Sequence, residues 1–239
     1  MHRPVRVNRV RSLRVTANDE DWLFARDNAD KIAAHWQTRV AQNPAFFNGK
    51  ILMLRDWRVI EDAFTATAVS VDFAAFLYWR EQAPDDRSVT HVFGTAAIVL
   101  ADGGVVTAHA GPGTINDGQL HLPGGFIDPQ DIQVIGSEAV VDLDLHAKRE
   151  LSEELGLRAD ELGRRTETHA CWTGREIGLI GVYHSVLKAS DLEVRLAQHT
   201  IESGQSEVTA VHVVRNVDAP MPGILMPYAR AVVDVLLKT

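Results

Sequence analysis

Three glutamates, Glu150, Glu153 and Glu154, stand at offsets of three and four in the run Arg149-Glu150-Leu151-Ser152-Glu153-Glu154-Leu155-Gly156-Leu157. On a helix, at about 100° per residue, they share one face. Left alone they repel one another. A divalent cation would hold them together, because Mg²⁺ is a hard ion that prefers carboxylate oxygens. Such a face suits either plain solvent or metal-assisted chemistry on an anionic substrate.

A helix is expected beneath these carboxylates. Asp142 has the chemistry of an N-cap, and Leu143, Ala147, Leu151 and Leu155 recur as an apolar stripe. Gly156 stands where a left-handed C-terminal cap belongs. The acidic stripe borders the apolar one, which would set the glutamates at the edge of a packed surface. His146, one turn before Glu150, falls in the middle of that stripe. It could touch a metal or a leaving phosphate, although a packed, hydrogen-bonded imidazole is the commoner fate of such a residue.

The run resembles the end of the Nudix box, G-x5-E-x7-R-E-U-x-E-E-x-G-U with U aliphatic, and fills its last seven specified positions in order. Average residue usage puts chance agreement at the five non-aliphatic positions at about one in a million per starting point. Upstream, Leu122-Pro123-Gly124-Gly125 resembles the strand-to-loop segment that precedes the box, and Asp128 stands where an acidic residue often follows the paired glycines. Between the two halves the chain runs about ten residues longer than the box allows, and Pro129 to Val141 reads as a loop insertion, because Pro129 and Gly136 break any continuous periodicity. The first glutamate of the pattern falls on Val141, with Asp142 and Glu138 its nearest acidic substitutes.

The resemblance implies a Nudix-type α/β/α sandwich with a mixed sheet. It also implies hydrolysis of a nucleoside diphosphate linked to another group, by water attack on phosphorus. Mg²⁺, with Mn²⁺ as a substitute, would be held by Glu150, Glu153, Glu154 and the Gly125 carbonyl. Glu153 would also orient water, and Arg149 would orient a carboxylate. The family commonly adds an acidic residue after the box. Glu207, ahead of the run Val208 to Val214, resembles that position as a base or outer ligand, and Glu176, before the run Ile177 to Val182, is its competitor. With a net charge of −8, the chain would need local cations to accept an anionic diphosphate.

A second, sparser resemblance covers the first part of the chain. Trp36, Asn43-Pro44, Asn48-Gly49 and Asp72-Phe73 are similar to the N-terminal region of eukaryotic Nudix hydrolases acting on nucleotide sugars, the UDP-glucose and GDP-mannose type. Those relatives also carry a proline soon after the paired glycines, as Pro129 does here, and a longer box. This implies a nucleotide sugar cleaved to a nucleoside monophosphate and a sugar 1-phosphate. Phe46, Phe73, Tyr78 and Trp79 could stack on a base, though aromatic residues in a small domain are more often core. Gly118-Gln119 faintly resembles the approach to the glycines in members that cleave coenzyme A, and ADP-ribose also fits. A non-catalytic nucleotide sensor is the alternative of another class. Val141 favours it, and three retained carboxylates oppose it.

The 239 residues, 46% of them hydrophobic, suffice for a small N-terminal α+β extension over 1–88 and a Nudix domain over 89–239. Ala83 to Ser88 is the most linker-like stretch. A single cysteine, Cys171, excludes an internal disulfide and suits the cytoplasm. No apolar run reaches the roughly 18 residues of a membrane span. Neither a basic face for nucleic acid nor a zinc spacing of histidines is present. A homodimer fits the family, though no apolar seam demands one.

Arginines at 3, 6, 9, 11 and 14 mark the opening segment, whose Val5-Arg6-Val7 alternation reads as a strand. A helix is expected over 18–42, then strands at 51–54, 57–60 and 64–71, and a helix capped by Asp72 running through Arg80. A hairpin, 95–100 with 105–108, turns at Asp102-Gly103-Gly104. Strands near 177–187 and 208–214 and a last helix after Pro227 complete the pattern.

Overall fold

Runs rich in valine, threonine and alanine, closed by glycine, proline or charged turns, fold as strands, and the alternation-free stretches between them fold as helices. The computed structural model describes residues 5–203 and 207–238; Arg3 of the opening segment lies outside them. In chain order the elements are β1 (Arg6–Val10), β2 (Ser12–Asn18), α1 (Leu23–Asp27), α2 (Ala29–Gln42), β3 (Lys50–Ile60), β4 (Ala63–Asp72), α3 (Phe73–Gln82), β5 (Thr90–Val99), β6 (Val105–Ala110), β7 (Gln119–His121) and β8 (Gly124–Phe126). A 3-10 turn (Pro129–Asp131) follows, then β9 (Ile132–Ile135), β10 (Glu138–Val141), α4 (Leu143–Leu155), β11 (Arg165–Thr173), β12 (Glu176–His184), α5 (Ala189–Ser203), β13 (Val208–Val214), β14 (Ile224–Leu225) and α6 (Pro227–Leu237).

Two compact units share the chain. One comprises Met1–Arg11, Phe93–Gly125 and Leu143–Thr239, and the other Ser12–Val92 and Phe126–Asp142. They interleave along the sequence, whereas a single cut after residue 88 was expected. Strand β1 belongs to the later-sequence unit because it pairs with β11, from Arg6↔Trp172 to Val10↔Thr168.

The unit that contains α4 is a mixed α/β structure. Strand β6 pairs antiparallel with β5, β7 and β13, and β7 pairs parallel with β14. Strands β11 and β12 form a long antiparallel hairpin. On one face of this sheet Ala147, Leu151 and Leu155 of α4 and Leu192 and Leu196 of α5 pack on Ala96, Ile98, Val106 and Ala108. On the other face Tyr228, Ala229, Val232 and Val233 of α6 pack on Ala97, Leu120, Leu122, Cys171 and Ile180. Helices therefore cover both faces, the α/β/α arrangement.

The other unit pairs β2 with β4 in parallel and β3 with β4, β10 with β2 and β9 with β10 antiparallel. Three sequence expectations change here. The strands 51–54 and 57–60 are one strand, interrupted by a bulge between Leu54 and Asp56, which breaks the alternation without ending the pairing. Residues 129–141 are not a loop: Pro129 opens the 3-10 turn, whose cap is Asp128, and Gly136 lies in the turn between β9 and β10. Asp72 precedes α3 but does not cap it with its side chain, which pairs with Lys50 Nζ at 3.0 Å. The Asn48 side-chain oxygen accepts the Ala74 N–H at 2.8 Å instead. Trp79 is buried, and Phe73 packs edge-on against Phe46 at 5.8 Å between ring centroids, while Trp36 stacks on Phe46 at 6.4 Å. Phe46, Phe73 and Trp79 are thus held by neighbouring rings within their own unit, and Tyr78 meets His35 edge-on at 5.6 Å.

Helix α4 stops at Gly156, whose φ of +64° is left-handed. The N–H groups of Gly156 and Leu157 turn back onto the carbonyls of Ser152 and Leu151, both at 3.1 Å. A Cβ at Gly156 would lie 2.8 Å from the His199 Cβ of α5. Gly156→Ala is expected to cost at least about 1–2 kcal/mol from the backbone alone, measured as a lower midpoint in urea unfolding with unchanged slope.

Candidate active site

The apolar stripe of α4 fixes where its carboxylates go. Leu143, Ala147, Leu151 and Leu155 are all at most 2% exposed, so the helix is clamped along one side. Glu154, one position before Leu155, is carried under the edge of that clamp and is 7% exposed. One of its oxygens accepts the Gly124 N–H at 3.0 Å. The side chain of Glu150 lies over Gly125, where an added Cβ would be 2.8 Å from Oε2. The Leu122-Pro123-Gly124-Gly125 segment and the acidic stripe of α4, far apart in sequence, are therefore in contact.

Two glycines make this approach feasible. Gly124 has a φ of +132°, and a Cβ there would lie 2.4 Å from the Gly94 carbonyl oxygen on β5. Ala96 N–H donates to the Pro123 carbonyl at 2.8 Å, which holds the segment against β5. Gly94 in turn accommodates the His146 ring, whose Cδ2 would be 2.3 Å from a Cβ at that position. His146 is fully buried, with Arg149 Nη2 3.4 Å from its Nδ1. This is the packed, hydrogen-bonded imidazole, not a group facing a phosphate.

Arg149 reaches two of the three glutamates, with Nη1 2.8 Å from Glu150 and 3.1 Å from Glu153. Glu153 is the exposed member of the set, at 61%, while Glu150 is 12% exposed. Burial pushes the Glu154 carboxyl well above the ordinary carboxylate range, and the charge of Glu150 adds to that push. The Gly124 N–H opposes it, and Glu207 and Glu153 reinforce it. Glu207 is thus among the charges acting on Glu154, and its carbonyl accepts the Gly111 N–H at 2.7 Å. Glu176 acts instead on the buried groups Cys171 and Tyr228.

The acidic neighbours of the missing first glutamate lie in the other unit. Val141 is buried in β10 opposite Ile132, and Glu138 pairs with Arg14. Asp142 donates its N–H to the Asp131 carbonyl at 2.8 Å.

Among the described residues no three His, Cys, Asp or Glu side chains converge into a ready cation site. Glu150 and Glu153 are turned to Arg149, and Glu154 to Gly124. The donors nonetheless suit a hard divalent ion: they are carboxylate oxygens, gathered around a carboxyl that burial first, and repulsion by the charge of Glu150 next, push above the ordinary range. A cation is what would relieve that repulsion. Sequence reasoning found the carboxylates but not the Gly124 N–H, because backbone donors leave no mark in residue types.

No family model matches the chain, and no curated protein matches it. Solved structures do. One is a nudix hydrolase family member from Chromobacterium violaceum, at 18% identity and a TM-score of 0.40, over 64% of this chain and 80% of that one. Another is the E. coli ORF135 protein, at 17% and 0.38, over 62% and 91% of the two chains. A third is the Nudix hydrolase RenU from M. smegmatis, at 17% and 0.37, over 62% and 83%.

Because its carboxyl titrates above the ordinary range in the folded chain, Glu154 lends stability in its protonated form, and that stability is lost as pH rises through the raised value. At pH 8 without metal, Glu154→Gln should therefore unfold at a higher temperature than the wild type, by a few degrees, since about 1 kcal/mol shifts a chain of this size by roughly 2–4 °C. Millimolar Mg²⁺ or Mn²⁺ should raise the wild-type midpoint more than that of the variant. A variant that melts lower than the wild type under these conditions contradicts the assignment.

Proposed function

We propose that the chain is a divalent-cation-dependent hydrolase of the Nudix type. It cleaves the diphosphate of a nucleoside diphosphate linked to another group, with a nucleotide sugar such as UDP-glucose as substrate class and a nucleoside monophosphate and a sugar 1-phosphate as products. The observation that carries this reading is Glu154, buried on the Gly124 N–H with Glu150, Glu153 and Glu207 acting on it. A solvated acidic helix would have no reason to bury one carboxyl of a repelling set.

Glu150, Glu153, Glu154 and the Gly125 carbonyl would hold the cation, which supplies charge neutralisation for the diphosphate and a lowered pKa for bound water. Arg149 serves as the internal counterion of Glu150 and Glu153, keeping both carboxylates near their working positions when no cation is bound. Burial raises the Glu154 carboxyl, so a cation held there would favour its ionised form. In the hydrolysis, water oxygen bonds to phosphorus, the anhydride P–O bond breaks, and the water proton passes to a carboxylate. Glu207 is the carboxylate assigned to that transfer, because it acts on Glu154 without being a member of α4.

The choice of a nucleotide sugar rests on Trp36, Asn43-Pro44, Asn48-Gly49 and Asp72-Phe73. Asn48 and Gly49 here accept the N–H groups that start α3, which gives that pattern a structural reason as well.

Monophosphate or phosphate release from UDP-glucose, GDP-mannose, ADP-ribose, NADH and coenzyme A, each with Mg²⁺ or Mn²⁺, tests the reading. One of the sugar nucleotides should be turned over, and Glu154→Gln and Glu153→Gln should each slow it by at least about tenfold. Retained rates in both variants would remove the cation assignment. If none of the five is turned over while nucleotides bind the metal-free protein, the chain is a sensor and not an enzyme.

A further inference from the structure

The geometry points to His121 as a specificity contact for the nucleoside end of the substrate, its imidazole offering the Nε2 lone pair to a hydrogen-bond donor of the base or ribose. The identity of the site rests on the hydrolase reading above; the assignment of the residue rests on its placement. Strand β7 pairs with β6 at Ala108↔His121, so those two side chains leave the sheet on the same side. Ala108 packs with Leu151 and Leu155 of α4. Leu120 and Leu122, its alternating neighbours, pack with Tyr228 on the opposite face. His121 therefore stands on the α4 side, three residues before the Gly124 N–H that binds Glu154. Those three residues reach at most roughly 10 Å when extended, and the bend at Pro123 shortens this; the distance is within reach from the phosphates of a nucleotide to its ribose and base.

The ring is set up to accept. Its Nδ1 lies 2.9 Å from the Leu122 carbonyl, which can only accept, so Nδ1 carries the proton. Burial holds the imidazole below its ordinary value, and His109 lowers it further, against the opposite pull of the Leu122 carbonyl. A neutral ring protonated on Nδ1 leaves Nε2 as a bare acceptor. Nε2 makes no hydrogen bond among the described residues, and the residue is 6% exposed. Phosphate oxygens are acceptors too and gain nothing from such a nitrogen. Base N–H groups and ribose hydroxyls are donors, and a site that must pair a polar atom rejects ligands lacking the partner.

Calorimetric titration of UMP, GMP, CMP and AMP, and separately of inorganic pyrophosphate, into the Mg²⁺-loaded protein tests this. His121→Ala should weaken the best-bound monophosphate by about tenfold and leave pyrophosphate, which has no nucleoside, within about threefold. His121→Gln, which keeps an acceptor oxygen and guards against a folding defect in the alanine variant, should restore most of the loss. In turnover of the preferred substrate, His121→Ala should raise KM with kcat little changed. Equal losses for pyrophosphate and monophosphate would make the residue merely structural, and a fall in kcat alone would make it a base; either overturns the assignment. So does a wild type that binds none of the four monophosphates. If no diphosphate is hydrolysed but monophosphate binding still depends on His121 as stated, the hydrolase reading fails and this one stands.

Discussion

One hydrogen bond, from the Gly124 N–H to the Glu154 carboxyl, ties the two halves of the candidate site together. Its donor is held because a glycine fits against the Gly94 carbonyl where any side chain would collide. Its acceptor is held because α4 is clamped by Leu143, Ala147, Leu151 and Leu155. Move either support and the carboxyl is left buried among like charges with no donor, which is costly. The placement of Glu150 over Gly125 and of Arg149 between Glu150 and Glu153 follows from the same helix position.

That arrangement costs the helix stability. A helix optimised for folding alone would carry basic residues in its last turn, where the macrodipole favours them. α4 instead ends with Glu153 and Glu154; Arg149, a turn earlier, answers Glu153, and Glu154 is met by the Gly124 N–H. Local rules are thus broken together at one place, with an ordinary core on either side, as the proposed site requires.

How far the sequence spoke depended on whether the relevant contacts were local. Helix α4, its glycine stop and the hairpin around Asp102-Gly103-Gly104 are written in periodicities of a few residues, and all three were legible. Helix α5 and strand β11 were not. Among the described side chains of α5 only Leu192 and Leu196 are buried, while Val194 and Ile201 are exposed, so no clean stripe forms. In β11 polar and apolar residues alternate only in part, because His169 and Thr168 are buried along with Ala170 and Cys171. Pro129 and Gly136 were legible as breaks but not as a turn opening and a hairpin bend, since pairing of β10 with β2 decides that. His121 was illegible for a related reason: alternation shows that it and Leu122 face opposite ways, and only the packing of Ala108 says which way α4 lies.

Strand β1 joins β11 across about 160 positions of the chain, a separation that makes pairing slow to find. During synthesis the amino-terminal segment is made first and must wait for most of the chain before its partner exists. Without β1, the outer margin of β11 would offer unpaired amides and carbonyls to any passing strand, the hazard that exposed sheet margins carry. In the paired strand Arg9 lies 3.1 Å from Glu167. Strand β1 thereby covers the margin of β11 and becomes the edge strand in its place, with Arg6 and Arg9 supplying charge there.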